Sequence, residues 1–507
     1  MPKKEIPAAP AADSPRMEAP ASGVRIRMYR QGHGDCFLLA FRQENGEPFY
    51  LLIDCGKKKG SDLECTMTEV VEDIREATGG RLHLVAVTHE HEDHVSGFLS
   101  EKETFEQMQI DRLWLAWTEN PEHPLAKTLR EKYKDTLLGL VRAAHQLRGA
   151  AGKSDQRVER LLEDLLSSEL SDEDRLLATS QPEKIKGITN KKGIRVVQQQ
   201  AQARQGTEYL EPHGAPKSLP QVAGLRVFVL GPPASEAKLK DLDPHGEEEE
   251  FHLGALDQMP FLAAIGSPAA EQEAHQPFEP RHRIPLAQAG KHHQHAEFFE
   301  QHYGLGKDYG PEDDRSWRRI DGDWLRVAES FALRLNTYVN NTSLVLAFEL
   351  PRTKKVLLFV GDAQRGNWVS WQDAGWSERN GLGPGEELTA KDLLARTVFY
   401  KVGHHGSHNA TLRQGGLEEM ARGKHAAEFA AMIPANEKWA LGNNNPPWRH
   451  PLPAIHKSLR EKTQGRLFVM DRELEAPGPQ QLPPEKWQEF LARTRKSRLY
   501  YELTIED

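Results

Sequence analysis

The run Thr88-His89-Glu90-His91-Glu92-Asp93-His94 places three imidazoles and an aspartate within six positions. Imidazole nitrogen and carboxylate oxygen are the donors that borderline divalent ions such as Zn²⁺ favour. In an extended turn, residues 89, 91 and 93 project to one side, so His89 and His91 can grip one ion together. Asp93 and His94 are adjacent and diverge, which suits a second ion a short distance away. The alternative is a solvated polar turn.

The elements that must position these residues are legible as apolar runs. Leu82 to Val87 reads as a buried strand leading straight into the histidines. Before it, Val24 to Met28 alternates apolar and polar residues. Cys36 to Ala40 and Phe49 to Ile53 are further strands, the latter closing on Asp54-Cys55-Gly56. Thr66 to Ala77 has the spacing of an amphipathic helix, with Val70, Val71 and Ile74 on one side. Strand, helix and strand in this order imply an α/β layered fold. Strand character returns at Leu225 to Leu230, Ser343 to Leu350, Lys355 to Val360, Thr397 to Val402 and Ala431 to Pro434. Between these lie two expected insertions. Residues of about 103–222 are charged and helical in pattern, for example Leu125 to Arg130 and Leu137 to Leu147. Residues of about 234–330 are polar and loop-rich, with acidic Glu247 to Glu250 and many histidines. Residues 1–22 read as a disordered Ala/Pro-rich tail, leaving 23–507 as the body.

The motif T-H-E-H-E-D-H after an apolar strand resembles the H-x-H-x-D-H signature of the metallo-β-lactamase fold hydrolases. Leu52-Ile53-Asp54-Cys55-Gly56 resembles that family's first motif, Leu357 to Asp362 its fourth, and Tyr400 to Ser407 its fifth. The form Lys401-Val402-Gly403-His404-His405-Gly406-Ser407, the strand Asn341 to Leu346, Leu230 to Pro233 and a late His450-Pro451 are similar to one branch. That branch is typified by the nuclease-like domain of bacterial DNA-uptake channel proteins, whose membrane-spanning part this chain lacks. The resemblance implies an αββα sandwich carrying the two insertions, and a pair of divalent ions, Zn²⁺ or Mn²⁺. It implies hydrolysis by a metal-activated hydroxide, with a phosphodiester as substrate and nucleic acid as the candidate source. The implied ligands are His89 and His91 for one ion and Asp93, His94 and His404 for the other, with Asp362 bridging. His404 is preferred to His405 as ligand. His405, Gly406 and Ser407 could hold a phosphate oxygen. Asn340-Asn341 stands where many members carry a histidine, so the first site is expected to be open. Asn341 is a candidate substrate or metal contact. Asp54 is either an outer acceptor orienting a histidine or water, or the cap of a turn. His450 is either a donor to substrate or leaving group, or a surface residue.

The proposed ligands span His89 to His404, so no cut leaves a complete site, and a length of 507 residues is read as one core with insertions. With 66 Lys+Arg against 75 Asp+Glu and a net charge of −9, the chain is not a basic architectural nucleic-acid binder. A mean hydropathy of −0.66, with no long apolar run, excludes membrane insertion. Three cysteines, Cys36, Cys55 and Cys65, fit a reducing compartment. With no apolar signal core at the N-terminus, the expected location is cytoplasmic. Two other functions share these features: hydrolysis of a small ester, lactone, lactam or phosphocholine-type substrate, and a partner-binding component using the insertions. Weaker signals are the turn Gly32-His33-Gly34-Asp35, the histidine run Lys291 to His295, and basic stretches at Lys184 to Arg195 and Arg493 to Arg498. The last two could track a phosphate backbone or be solvated faces.

Overall fold

Two mixed sheets carry the fold. A computed structural model describes residues 16–132, 190–241, 296–303, 338–442 and 448–507. The first sheet runs β18 (Thr494–Lys496), β19 (Tyr500–Ile505), β1 (Val24–Tyr29), β2 (Cys36–Arg42), β3 (Pro48–Cys55), β5 (Leu84–Ala86), β7 (Leu113–Ala116) and β8 (Thr207–Leu210). It is antiparallel from β18 to β3 and parallel from β3 to β8. The second runs β17 (Leu467–Val469), β16 (Ala430–Ile433), β15 (Thr397–Lys401), β12 (Val356–Phe359), β11 (Val345–Glu349), β10 (Arg226–Gly231) and β9 (Lys217–Ser218). It is parallel from β17 to β12 and antiparallel beyond. Two-residue strands β4 (Arg81–Leu82) and β6 (Gln109–Ile110) pair with each other, as do β13 (Gly375–Trp376) and β14 (Leu388–Thr389).

Strand periodicity sorts the side chains into layers. Ile26, Phe37, Leu39, Leu51 and Ile53 of the first sheet share one buried cluster with Leu346, Phe348, Leu357, Phe359 and Met432 of the second. Leu38, Leu52 and Val85, on the opposite face of the first sheet, pack with helices α1 (Met67–Thr78), α2 (Glu92–Ser100), α3 (Lys102–Gln107) and α4 (Asn190–Gln202). Val345, Leu358 and Tyr400, on the opposite face of the second, pack with residues of helices Arg365–Ser370, Ala390–Ala395 and Pro453–Lys462. Strands covered on both faces read as nearly continuous apolar runs, which is why they were visible in the sequence.

Helix α1 follows from its ends as well as its apolar stripe. The Thr66 hydroxyl accepts from the Glu69 amide, the Glu69 carboxylate accepts from the Thr66 amide, and Gly79 ends the helix at φ 62°. Its bounds lie within one residue of those expected.

Three expectations need revision. Residues 16–22 are not a loose tail: Met17 is buried, its amide donates to Ala77 O at 2.8 Å, and its carbonyl accepts from the Tyr50 hydroxyl. The first insertion is shorter than 103–222, because β7, α4, β8 and β9 belong to the sheets and their cover. The start of the second also belongs to the body, through the buried Leu239 of helix Glu236–Leu239. The chain divides into two compact units, the first comprising Met1–Leu129, Asn190–Gly254 and Thr337–Asp507. Of the second, Arg130–Thr189 with Ala255–Asn336, the described part is residues 130–132 and helix Ala296–Tyr303. The helix expected over Leu137 to Leu147, the acidic Glu247 to Glu250, the run Lys291 to His295 and the first half of the basic stretch, 184–189, lie outside the described residues. No described helix is long and apolar enough to cross a membrane.

Candidate metal centre

The chemistry-bearing residues gather at one edge, where the parallel strands of both sheets end. In open α/β sheets that is where ligands bind. Strand β3 delivers Asp54, β5 leads into His89 and His91, and the first turn of α2 holds Asp93 and His94. From the second sheet, β12 leads to Asp362, β15 to His404 and His405, and the approach to β11 brings Asn340.

Asp54 sits in the left-handed region at φ 56° and is fully buried. Its carboxylate accepts from the Thr88 amide at 2.8 Å, the Thr88 hydroxyl at 2.7 Å and His94 Nδ1 at 2.8 Å. A carboxylate can only accept, so Nδ1 of His94 carries a proton and Nε2 carries the lone pair of the neutral ring. That Nε2 lies 3.2 Å from Asp362 Oδ2. His405 repeats the arrangement. Its Nδ1 donates to the Pro434 carbonyl at 2.8 Å, which turns Nε2 onto Asp93 Oδ2 at 2.8 Å. Two nitrogen lone pairs therefore face two carboxylate oxygens across buried space, and a cation must lie between each pair. Either a proton or a metal ion serves.

The other histidines add to the same pocket. His89 Nε2 stands 3.0 Å from His91 Nδ1, and His89 Nδ1 is flanked by Thr88 Oγ1 at 3.2 Å and Ser343 Oγ at 3.3 Å. His91 Nε2, His94 Nε2 and Asp362 Oδ2 are buried without a well-directed hydrogen bond. Buried polar atoms left unpaired in this way are costly unless something fills the gap between them. These residues fit a divalent ion.

The two consecutive histidines divide the work differently from the sequence expectation. Both have left-handed backbones, His404 at φ 43° and His405 at φ 53°, so their rings point apart. His405 joins Asp35, His94 and Asp362 in a group whose donor atoms lie within 4.8 Å of one another. His404 Nε2 instead meets Asn340 Nδ2 at 3.3 Å; both rings keep Nε2 4.0 Å from Asp362 Oδ2, and the 2.8 Å contact with Asp93 is what sets His405 apart. The geometry prefers His405 to His404 as partner of Asp93 and His94. Ser407 does not face open space: its hydroxyl donates to Asn409 Oδ1 at 2.8 Å and accepts from His404 Nδ1 at 2.9 Å. Asn341 is spent on structure, its amide donating to the Lys238 and Leu239 carbonyls and its oxygen accepting from the Gln364 and Asn367 amides. Its neighbour Asn340 is the one at the site. His450 stacks on His33 with an interplanar angle of 10°, and its ring is 5.4 Å from that of His404.

Electrostatics prepare the group for a cation. Burial, with His94 and His91 adding to it, holds His89 well below the usual histidine range. Burial and Lys58 take His91 to about 3. Burial takes His404 to about 4 despite Asp362. All three present neutral rings. Burial works against the charge of Asp93, but Lys58 at 3.1 Å and His405 keep its carboxyl well below the carboxylate range. Burial likewise opposes the charge of His94, yet Asp362, Asp35 and Asp54 raise it well above the histidine range. Without a metal, His94 holds the balancing proton, and a divalent ion would displace it.

Lys58 escaped the sequence reading altogether, and Asp35, Asn340 and Lys401 were named in it only within longer runs. Lys401 Nζ pairs with Asp35 and donates to the Gly361 carbonyl at 2.7 Å. A lysine closing the otherwise apolar run Val398-Phe399-Tyr400 was the available signal for it. Asp35 comes from the turn Gly32-His33-Gly34-Asp35. The basic run Arg493 to Arg498 spends its charge within the fold, Arg498 on Glu69 at 2.5 Å and Lys496 on Glu473.

Comparison with protein-family models, curated proteins and solved structures finds no match for this chain. What it does must be read from its own side chains.

Proposed function

We propose that this chain is a metal-dependent hydrolase acting on phosphodiesters, similar to the nuclease-like branch of the metallo-β-lactamase fold hydrolases. The observation that carries the reading is the pair His94 and His405, each with Nδ1 tied to a fixed acceptor and Nε2 aimed at a carboxylate. Second partners that fix the tautomer are the usual accompaniment of metal-binding histidines. The layering of helices, two sheets and helices, and the gathering at one strand edge, also support it.

Asp93, His94, Asp362 and His405 would hold one ion, and His89, His91 and Asp362 a second. Zn²⁺ or Mn²⁺ there would supply Lewis acidity and a water acidic enough to react near neutral pH. Asp54 keeps His94 in its tautomer, and the Pro434 carbonyl does the same for His405. His404 receives its tautomer from Ser407, so its Nε2 lone pair faces the Asn340 amide and could take a proton from a water or hydroxyl there. His450, stacked on His33, borders the same face.

The test is direct. The purified chain is stripped with chelator, reloaded with Mn²⁺ or Zn²⁺ and assayed on bis-p-nitrophenyl phosphate, single- and double-stranded DNA and RNA. Turnover on at least one, lost in Asp93→Ala and Asp362→Ala, is expected. Bound metal with no turnover on any of them would sink the phosphodiesterase reading and leave the small-ester or lactone alternative.

A further inference from the structure

Lys401 is 1% exposed, yet a lysine is among the residues least often buried. It closes β15 between the two sheets. Its ammonium carries three protons and has three oxygens around it: Asp35 Oδ2, Gly361 O at 2.7 Å and Asp362 Oδ1 at 3.5 Å. Asp35 is itself fastened in place. Its amide donates to the Asp93 carbonyl at 2.9 Å, and its carbonyl accepts from the Gly56 amide at 3.0 Å.

Asp35 belongs to the same close group as His94, Asp362 and His405, but it approaches both rings from the side away from Nε2. Its carboxylate lies 3.7 Å from His94 Nδ1 and 3.9 Å from His405 Nδ1, the proton-bearing sides of both rings. Those protons already go to Asp54 and Pro434. Asp35 therefore borders the centre from outside, with Lys401 between it and Asp362. A buried ion pair of this kind adds little to stability, because desolvation cancels most of the attraction. Its place calls for another explanation.

Asp362 provides one. Its Oδ1 accepts from the His404 amide at 3.1 Å and faces Lys401, while Oδ2 has no hydrogen bond and faces His94. We propose that Lys401, held by Asp35, is a positioning residue that fixes Oδ1 of Asp362 so that Oδ2 alone is presented to the ions. The inference rests on the metal-centre reading above. The pair also places a cation directly behind the carboxylate, which limits the negative charge gathered at the site.

The experiment compares wild type, Lys401→Met, the double variant Lys401→Met/Asp35→Asn, and Asp35→Asn. Two quantities are read: the melting temperature of metal-free protein, and affinity for Zn²⁺ and Mn²⁺ in competition with a chromophoric chelator. Lys401→Met strands a buried carboxylate and is expected to lose both stability and metal binding. The double variant removes both charges, so it should melt close to wild type and still bind metal roughly 10–100-fold more weakly. A folded double variant with wild-type affinity would make the pair merely structural and overturn the proposal. If the double variant does not fold, Asp35→Asn decides: a drop of about tenfold or more supports the role, and unchanged affinity overturns it. A folded wild-type chain that binds neither ion overturns the metal reading along with it.

Discussion

Each imidazole has two nitrogens, and at this site the partner of Nδ1 decides what Nε2 can do. Asp54 is the clearest case, since it accepts from His94 Nδ1 and twice from Thr88. Asp54→Asn keeps the shape but can turn an N–H toward His94, so the ring loses its preferred tautomer. Metal affinity should fall about 10–100-fold, measured by chelator competition, with the fold retained. His404 and His405 separate by the same logic. His405→Ala removes the nitrogen facing Asp93 and should cost bound metal by elemental analysis. His404→Ala removes a ring that meets Asn340 and should leave the metal content near wild type while lowering kcat, by about 10²–10⁴-fold if it moves a proton. The opposite pattern would return the ligand role to His404.

Elements hold these residues through close contacts that leave no room for error. A Cβ on Gly56 would lie 2.5 Å from the His94 amide nitrogen, so the end of β3 touches the turn that carries Asp93 and His94. Gly56→Ala should cost about 1–3 kcal/mol of stability, read from denaturant melts, and weaken metal binding with it. At the other end of β5, burial and then Arg81 hold His83 at about 4, and its Nδ1 accepts from the Tyr50 amide at 3.1 Å. Unfolded histidine titrates near 6.5, so the unfolded chain takes up a proton that the folded one refuses. This contribution is full above about pH 6.5 and is lost as pH falls toward 4. The drop in melting temperature between pH 7 and pH 5 should be smaller in His83→Gln than in wild type. Strands such as β3 and β12 were legible because both faces are apolar. Strand β7 has only four residues, and β8 is a half-buried edge strand, Thr207-Glu208-Tyr209-Leu210, so neither announces itself locally. The histidine run was legible because its donors are neighbours in sequence. Asp35 and Lys401 are 366 positions apart, and only the meeting of the two sheets makes them partners. His404 and His405 meet different partners, Asn340 and Asp93, through a pair of left-handed backbones that no residue type predicts.

At the scale of the whole molecule, the candidate centre joins the two sheets. Asp93, His94, His89 and His91 come from the first sheet and its cover, Asp362 and His405 from the second. The sheets otherwise meet through apolar packing and a few polar contacts, such as Asn436 Nδ2 to the Ser61 carbonyl at 2.8 Å. An ion that needs donors from both sides binds the assembled sandwich and not the unfolded chain. It should therefore stabilise the fold by mass action, by about 2.7 kcal/mol at a hundred times its Kd. For a body of this size that corresponds to a rise in Tm of roughly 3–4 °C. Scanning calorimetry with and without Zn²⁺ or Mn²⁺ measures it, and a chelator should reverse it. The decisive comparison is between Asp93→Ala and Asp362→Ala. If the ions bridge the sheets, either variant abolishes the shift, although each removes a ligand from only one of them. A shift that survives both Asp362→Ala and His405→Ala would confine the metal to the His89–His94 turn and leave the second sheet without a part in holding it.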